Sequence, residues 1–161
     1  MKLSVAKIVR STSADGVGLR NSLYVAGCDI QCKGCHNKDW WNINNGVLKD
    51  VEEVYEELCS DDCNISILGG EPLMQSDAVI ELCRLIKSRT NKTIWLWSGH
   101  TFEYIQRHSP AILELIDVLV DGPYQEELHE LDLDWRGSSN QRVIHLKYAF
   151  YKSILLIYYF L

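Results

Sequence analysis

Proline and methionine are scarce in this chain of 161 residues, three of the first and two of the second, and no stretch rich in proline, glycine or serine divides it. A flexible linker is therefore not expected, and residues 1–161 read as a single globular domain. Basic residues are also short: 16 Lys and Arg against 22 Asp and Glu leave a formal net charge of -6. A nucleic-acid partner normally requires a basic face, so none is expected. Long apolar runs are missing as well. The first residues, Met1 to Gly16, hold no apolar stretch of the length a signal peptide needs. The apolar tail at 148–161 is shorter than the roughly 20 residues a bilayer span takes. These absences point to a cytoplasmic protein without a membrane partner. The tail reads as a final buried element, with a docking surface as the other option.

What is present alternates. Short apolar runs at 21–27, 64–70, 93–99, 117–123 and 141–146 predict strands, and 2–9 can add an edge strand. The middle three are nearly continuous, which suits a parallel sheet buried on both faces. Amphipathic stretches at 50–59, 76–90 and 101–108 predict helices, with Asp50 and Glu53 as a capping box and Ser109 with Pro110 opening a further short helix. Strand–helix alternation gives βαβ units, hence an α/β fold. Loops at the carboxyl ends of such strands are where sites collect. "GCDIQCKGCHN", "LGGEP", "WSGH" and "VDGPY" all fall at strand ends on that one rim.

Cysteine is plentiful by contrast, at six. In a reducing compartment thiols more often bind metal or pack in the core than form disulfides. Cys28, Cys32 and Cys35 follow a C-x3-C-x2-C spacing. Four thiolates close a [4Fe–4S] cube, so three leave one iron open to an outside ligand. A zinc site with His36 as fourth ligand is the competing reading.

The spacing resembles that of the radical S-adenosylmethionine enzymes, and three further stretches resemble one branch of them. "GGEPL" from Gly69 resembles the turn whose backbone and Glu meet the methionine ammonium of the cofactor. "DGVGLR", Asp15 to Arg20, resembles the lead-in of the glycyl-radical activating enzymes, with Val17 where a proline is usual. "DVLVDGPY" and "WRGSSNQRVI" resemble the later part of the activating proteins of anaerobic ribonucleotide reductase. The resemblance runs from about residue 5 to 146. It implies a shortened, open (β/α) barrel with a mostly parallel sheet, since about 250 residues are typical of a full barrel. It implies a [4Fe–4S] cluster on Cys28, Cys32 and Cys35. It also implies S-adenosylmethionine held by Gly34, Cys35, His36, Asn37, Gly69, Gly70 and Glu71. The activity implied is reductive cleavage of that cofactor to a 5'-deoxyadenosyl radical, which forms a glycyl radical on the reductase's large catalytic subunit. An electron donor such as a flavodoxin would be the second partner. Activation of another glycyl-radical enzyme, of the formate-lyase type, and a non-catalytic iron–sulfur or zinc module are the alternatives.

Other residues read more plainly. Cys59 and Cys63 repeat the C-x3-C spacing but lack enough ligands for a second cluster. Cys83 and the alternating Trp95 and Trp97 read as core, and Trp40 and Trp41 as either packing or a shield for the cluster. His100, His108, His129 and His145 have no ligand spacing. Asp121, at a strand end, is a candidate polar contact for cofactor or peptide, and Asp121 to Arg142 a candidate segment for recognising the partner.

Overall fold

The computed structural model describes residues 1–146; the tail at 148–161 lies outside them. Strands β1 (Lys2–Thr12), β2 (Arg20–Val25), β3 (Val47–Asp50), β4 (Asn64–Gly69), β5 (Ile94–Ser98), β6 (Val118–Asp121) and β7 (Arg142–His145) form one sheet in the order β3-β1-β2-β4-β5-β6-β7. The run β2-β4-β5-β6 is parallel, while β1, β3 and β7 pair antiparallel with their neighbours. The sheet is therefore mixed and not closed. The 2–9 stretch, expected at an edge, lies one strand in. The edge is β3, a four-residue strand whose periodicity is too short to register and which runs straight into a helix cap.

Helices α1 (Val51–Leu58), α2 (Ser76–Arg89), α3 (Phe102–His108) and α4 (Pro110–Leu113) connect the parallel strands. The capping box forms as expected, with the Asp50 backbone N–H donating to Glu53 Oε2 at 2.9 Å. Pro110 opens α4 at its first turn, where a missing N–H costs nothing. Leu23, Ile65, Ile67, Ile94, Leu96 and Leu119 from the strands meet Val54 and Leu58 of α1, Leu82, Cys83 and Ile86 of α2, and Ile105 of α3 in one core. Each buried aliphatic side chain there contributes about 1.5–3 kcal/mol of transfer free energy. Cys83 is fully buried in it, as its place on an apolar helix face predicts.

The opposite face differs from expectation. Among the described residues no helix covers it; β2, β4 and β5 present Arg20, Ser22, Tyr24, Ser66, Trp95 and Trp97 there. A small second cluster of Trp95, Val118 and Val120 packs with Trp97, Trp135 and Val143. Near the start of the parallel strands Arg20 is 1% exposed, and all five of its N–H donors are used. Its Nε donates to Ser66 Oγ at 2.7 Å. Its terminal nitrogens reach the carbonyls of Val17, Ile65 and Thr93 and the Thr93 hydroxyl. The guanidinium also sits over the Trp95 ring, 5.3 Å from its centroid. Burial lowers its pKa to about 10, so it remains a cation at neutral pH. The "DGVGLR" stretch is thus a plug that ties β2, β4 and β5 together from below.

Arg20→Met, which keeps an apolar stem and removes the donors, is expected to lower the unfolding free energy by roughly 2–4 kcal/mol. Urea denaturation measures it, and a loss within the scatter of surface substitutions would show that the network is dispensable.

Candidate functional site

At the carboxyl ends of the parallel strands, four loops close on one cavity of about 190 Å³. Cys28, Cys32 and Cys35 line it from the β2 loop, Gly69 to Glu71 from the β4 loop, Ser98 and Gly99 from the β5 loop, and Gly122 and Tyr124 from the β6 loop. All three cysteines are half-buried free thiols. Among the described residues no three His, Cys, Asp or Glu side chains converge on one point as a single metal ion would need. The thiols are spread around a space, which is how a cube presents separate irons to separate thiolates.

Backbone contacts hold that arrangement. Gly27 N–H donates to the Trp40 carbonyl at 2.7 Å and Cys28 N–H to that of Trp41 at 3.0 Å, which folds the cysteine loop back on itself. From the β4 loop, Gly70 N–H donates to Val25 at 2.8 Å and Glu71 N–H to Gly27 at 2.7 Å. Gly69 has φ +114, a backbone region that side chains avoid. A Cβ on Gly70 would lie 2.2 Å from the Gly27 carbonyl oxygen. The two glycines let the β4 turn lie directly against the root of the cysteine loop.

Glu71 lines the cavity but is 1% exposed. Its Oε1 accepts from Leu73 N–H and Ser98 Oγ, both at 2.9 Å, and its Oε2 from Gly99 N–H at 2.7 Å. The carboxylate thus joins the β4 and β5 loops and caps the short turn Pro72–Gln75. This corrects the simple picture of a free carboxylate awaiting an ammonium, since only about one of its four lone-pair sites remains. Burial pushes its pKa up to about 7 against the pull of those donors. Burial likewise raises Cys28, opposed by the backbone N–H groups of Gln31 and Ile30, and Cys32, opposed by that of Tyr124. Thiols held protonated this way would release protons on taking up metal.

His36 lines a second cavity, about 350 Å³, which shares Cys35, Asn37, Trp97, Tyr124 and Gln141 with the first. Asn37 belongs to both; its Nδ2 donates to the Gly69 carbonyl at 3.4 Å. Gly34, expected with them, lines neither. It turns away with φ +76, and a Cβ there would meet Glu126. The loop is clipped to that region by Lys33, 3.1 Å from Glu126. Trp97, expected as core, forms a wall of both cavities. Tyr124 and Gln141 were not singled out in sequence, although "VDGPY" already placed Tyr124 on the correct rim.

Two expectations change in kind. Asp121 is 1% exposed; it accepts from Arg142 and from the N-terminal Phe102 N–H of α3 at 2.6 Å, so it is a structural anchor facing away from the cavity. The polar string "RGSSNQR" folds its own loop. Gln141 Oε1 accepts from Gly137 N–H at 2.9 Å and Ser138 N–H at 3.2 Å, and Gln141 Nε2 donates to Gly122 at 3.0 Å. Asn140 donates to Pro123 at 2.8 Å and Arg136 to Gln141 at 2.7 Å. Those side chains are engaged internally, and the longest exposed run of the segment is 125–132. Cys59 and Cys63 sit at the other end of the sheet, beside α1 and the start of β4, with Cys63 Sγ 3.6 Å from Ser11 Oγ.

Residues 14–144 match the family model of a 4Fe-4S single cluster domain. A Vibrio cholerae protein named anaerobic ribonucleoside-triphosphate reductase-activating protein is 38% identical over 141 residues, covering 81% of this chain and 90% of the relative. Proteins of the same name from Escherichia coli (strain K12) and Enterobacteria phage T4 are 35% and 37% identical, covering 83% and 80% of this chain and 92% and 85% of theirs.

Gly70→Ala tests the backbone contact. The added methyl displaces Gly27 and with it Cys28, so iron taken up on anaerobic reconstitution is expected to fall severalfold. Full iron content in that variant would show that the β4 turn does not set the cysteine loop.

Proposed function

This chain belongs to the family of anaerobic ribonucleoside-triphosphate reductase-activating proteins, and we propose that it activates the reductase's large catalytic subunit by generating a glycyl radical there. The family's iron–sulfur domain spans nearly all the described residues. The observation that carries the finer reading is one cavity lined by three half-buried thiols and the Gly69–Glu71 turn, at the carboxyl ends of parallel strands.

In this reading Cys28, Cys32 and Cys35 hold three irons of a [4Fe–4S] cluster and leave the fourth for S-adenosylmethionine. Cluster and cofactor, when bound, would supply reductive cleavage of the sulfonium with one electron from the donor, and through it hydrogen abstraction from a glycine of the partner. The chain's own residues bind, orient and shield. Only acids and neutral groups line the cavity, with Glu71 and the thiols and no Lys or Arg, which suits irons and a cationic cofactor. Gly69 and Gly70 bring backbone close to the ligand, and the remaining lone pair of Glu71 is available to an ammonium. The adjoining cavity beside His36 and Asn37 has room for the rest of the cofactor. Trp97 and Tyr124 wall off solvent between them.

The partner in this reading is the reductase's large catalytic subunit, and an electron donor such as a flavodoxin supplies the reducing equivalent. Among the described residues no helix is long and apolar enough to cross a membrane.

The test is anaerobic reconstitution with iron and sulfide, then addition of reductant and S-adenosylmethionine. The parent is expected to release 5'-deoxyadenosine and, with the large subunit added, to give a glycyl radical by electron paramagnetic resonance. Cys28→Ala, Cys32→Ala and Cys35→Ala should each lose both signals, and Cys59→Ala and Cys63→Ala neither. Undiminished iron and product in Cys32→Ala would defeat the assignment.

A further inference from the structure

Among the described residues, three buried side-chain atoms have no hydrogen-bond partner: Ser22 Oγ, Asn140 Oδ1 and Trp41 Nε1. Asn140 is anchored through its other amide atom, and Ser22 lies on β2. Of the three, Trp41 alone lines the cavity of the cysteines. Its place there is fixed by backbone, because its carbonyl accepts from Cys28 N–H at 3.0 Å. An indole N–H is a donor and nothing else, so what it lacks is an acceptor. A buried donor left without one costs free energy that a bound acceptor recovers. The groups the cavity would receive under the reading above are rich in acceptors, the sulfides and the cysteine thiolates foremost.

Resting on that reading, we propose that Trp41 is a positioning and tuning residue whose indole N–H donates to a sulfur of the bound cluster or its thiolate ligands. Hydrogen bonds to cluster sulfurs are among the factors that set reduction potential. Reduction adds an electron and makes those sulfurs stronger acceptors, so the N–H stabilises the reduced state and raises the potential. Trp41 thereby makes the cluster easier for its electron donor to reduce.

The experiment is a redox titration of the reconstituted protein without S-adenosylmethionine, followed by absorbance and electron paramagnetic resonance, beside iron and sulfide analysis. Trp41→Phe is expected to keep the parent's iron and shift the reduced-to-oxidised ratio at fixed potential about tenfold toward oxidised, equal to about 59 mV for one electron. Trp40→Phe should leave the titration unmoved. If Trp41→Phe loses iron, benzothienylalanine at position 41 preserves the ring's volume and replaces its N–H by sulfur. Retained iron with the same shift supports the proposal. Retained iron without a shift overturns it, and so does loss of iron in both variants, which would mean that position 41 serves to hold the cluster and not to tune it. An unchanged potential with weakened S-adenosylmethionine binding assigns the donor to the cofactor and overturns it as well. A parent that takes up no iron defeats the cluster reading itself, a separate failure.

Discussion

Two backbones meet without room for a methyl group where Gly70 lies against the carbonyl of Gly27. Everything at the site follows from that contact. It joins the end of β4 to the first residues after β2, so neighbouring parallel strands deliver their loops to the same place. Glu71, next in the chain, then reaches Ser98 and Gly99 and brings in the β5 loop. Cys28 is fixed from two sides, through Gly27 by the β4 turn and through Trp41 by its own loop. A loop carrying three thiols has little secondary structure of its own, and in this chain neighbouring backbone supplies the rigidity.

Much of this was legible in sequence because the signals are local. The spacing of Cys28, Cys32 and Cys35 and the glycine pair at 69–70 are covalent facts, and strand ends on a parallel sheet fall on one rim whatever the side chains. The helices α1 and α2 carried periodicity, and α1 a capping box as well. What escaped reading depends on partners distant in sequence. Glu71 looks like a free ligand until Ser98 and Gly99, about one βα unit later, are seen to hold it. Asp121 looks like a rim residue until Arg142 and the first turn of α3 claim it. Trp97 alternates with Trp95 as a core strand would. Periodicity gives the face of a residue and not what covers that face, and here loops cover the face that carries Trp95 and Trp97.

The loop between β6 and β7 shows the same limit from the other side. A polar string outside any regular pattern reads as a recognition surface. In the structure Gln141 and Asn140 tie it back to Gly122 and Pro123, so its polarity replaces the ladder hydrogen bonds that an irregular segment lacks. Arg142 closes the loop's base by binding both Asp121 and Glu103, and it holds the Glu103 carboxyl down at about 2. The loop is thereby tied down where it walls the cavities with Tyr124 and exposes its longest run at 125–132.

The electrostatics of the cavity give the strongest physical reason for a cationic occupant. Glu71, Tyr124 and the cysteine thiols are its ionisable groups, all acids, and among the described residues no base lines it. Burial foremost, with repulsion from neighbouring acids behind it, pushes Glu71 to about 7 and raises Cys28 and Cys32, which is the response of acids kept from water without a counter-charge. The one large buried cation on that side of the sheet, Arg20, is committed to β2, β4 and β5 at their opposite end. Iron bound there would hold those thiols deprotonated.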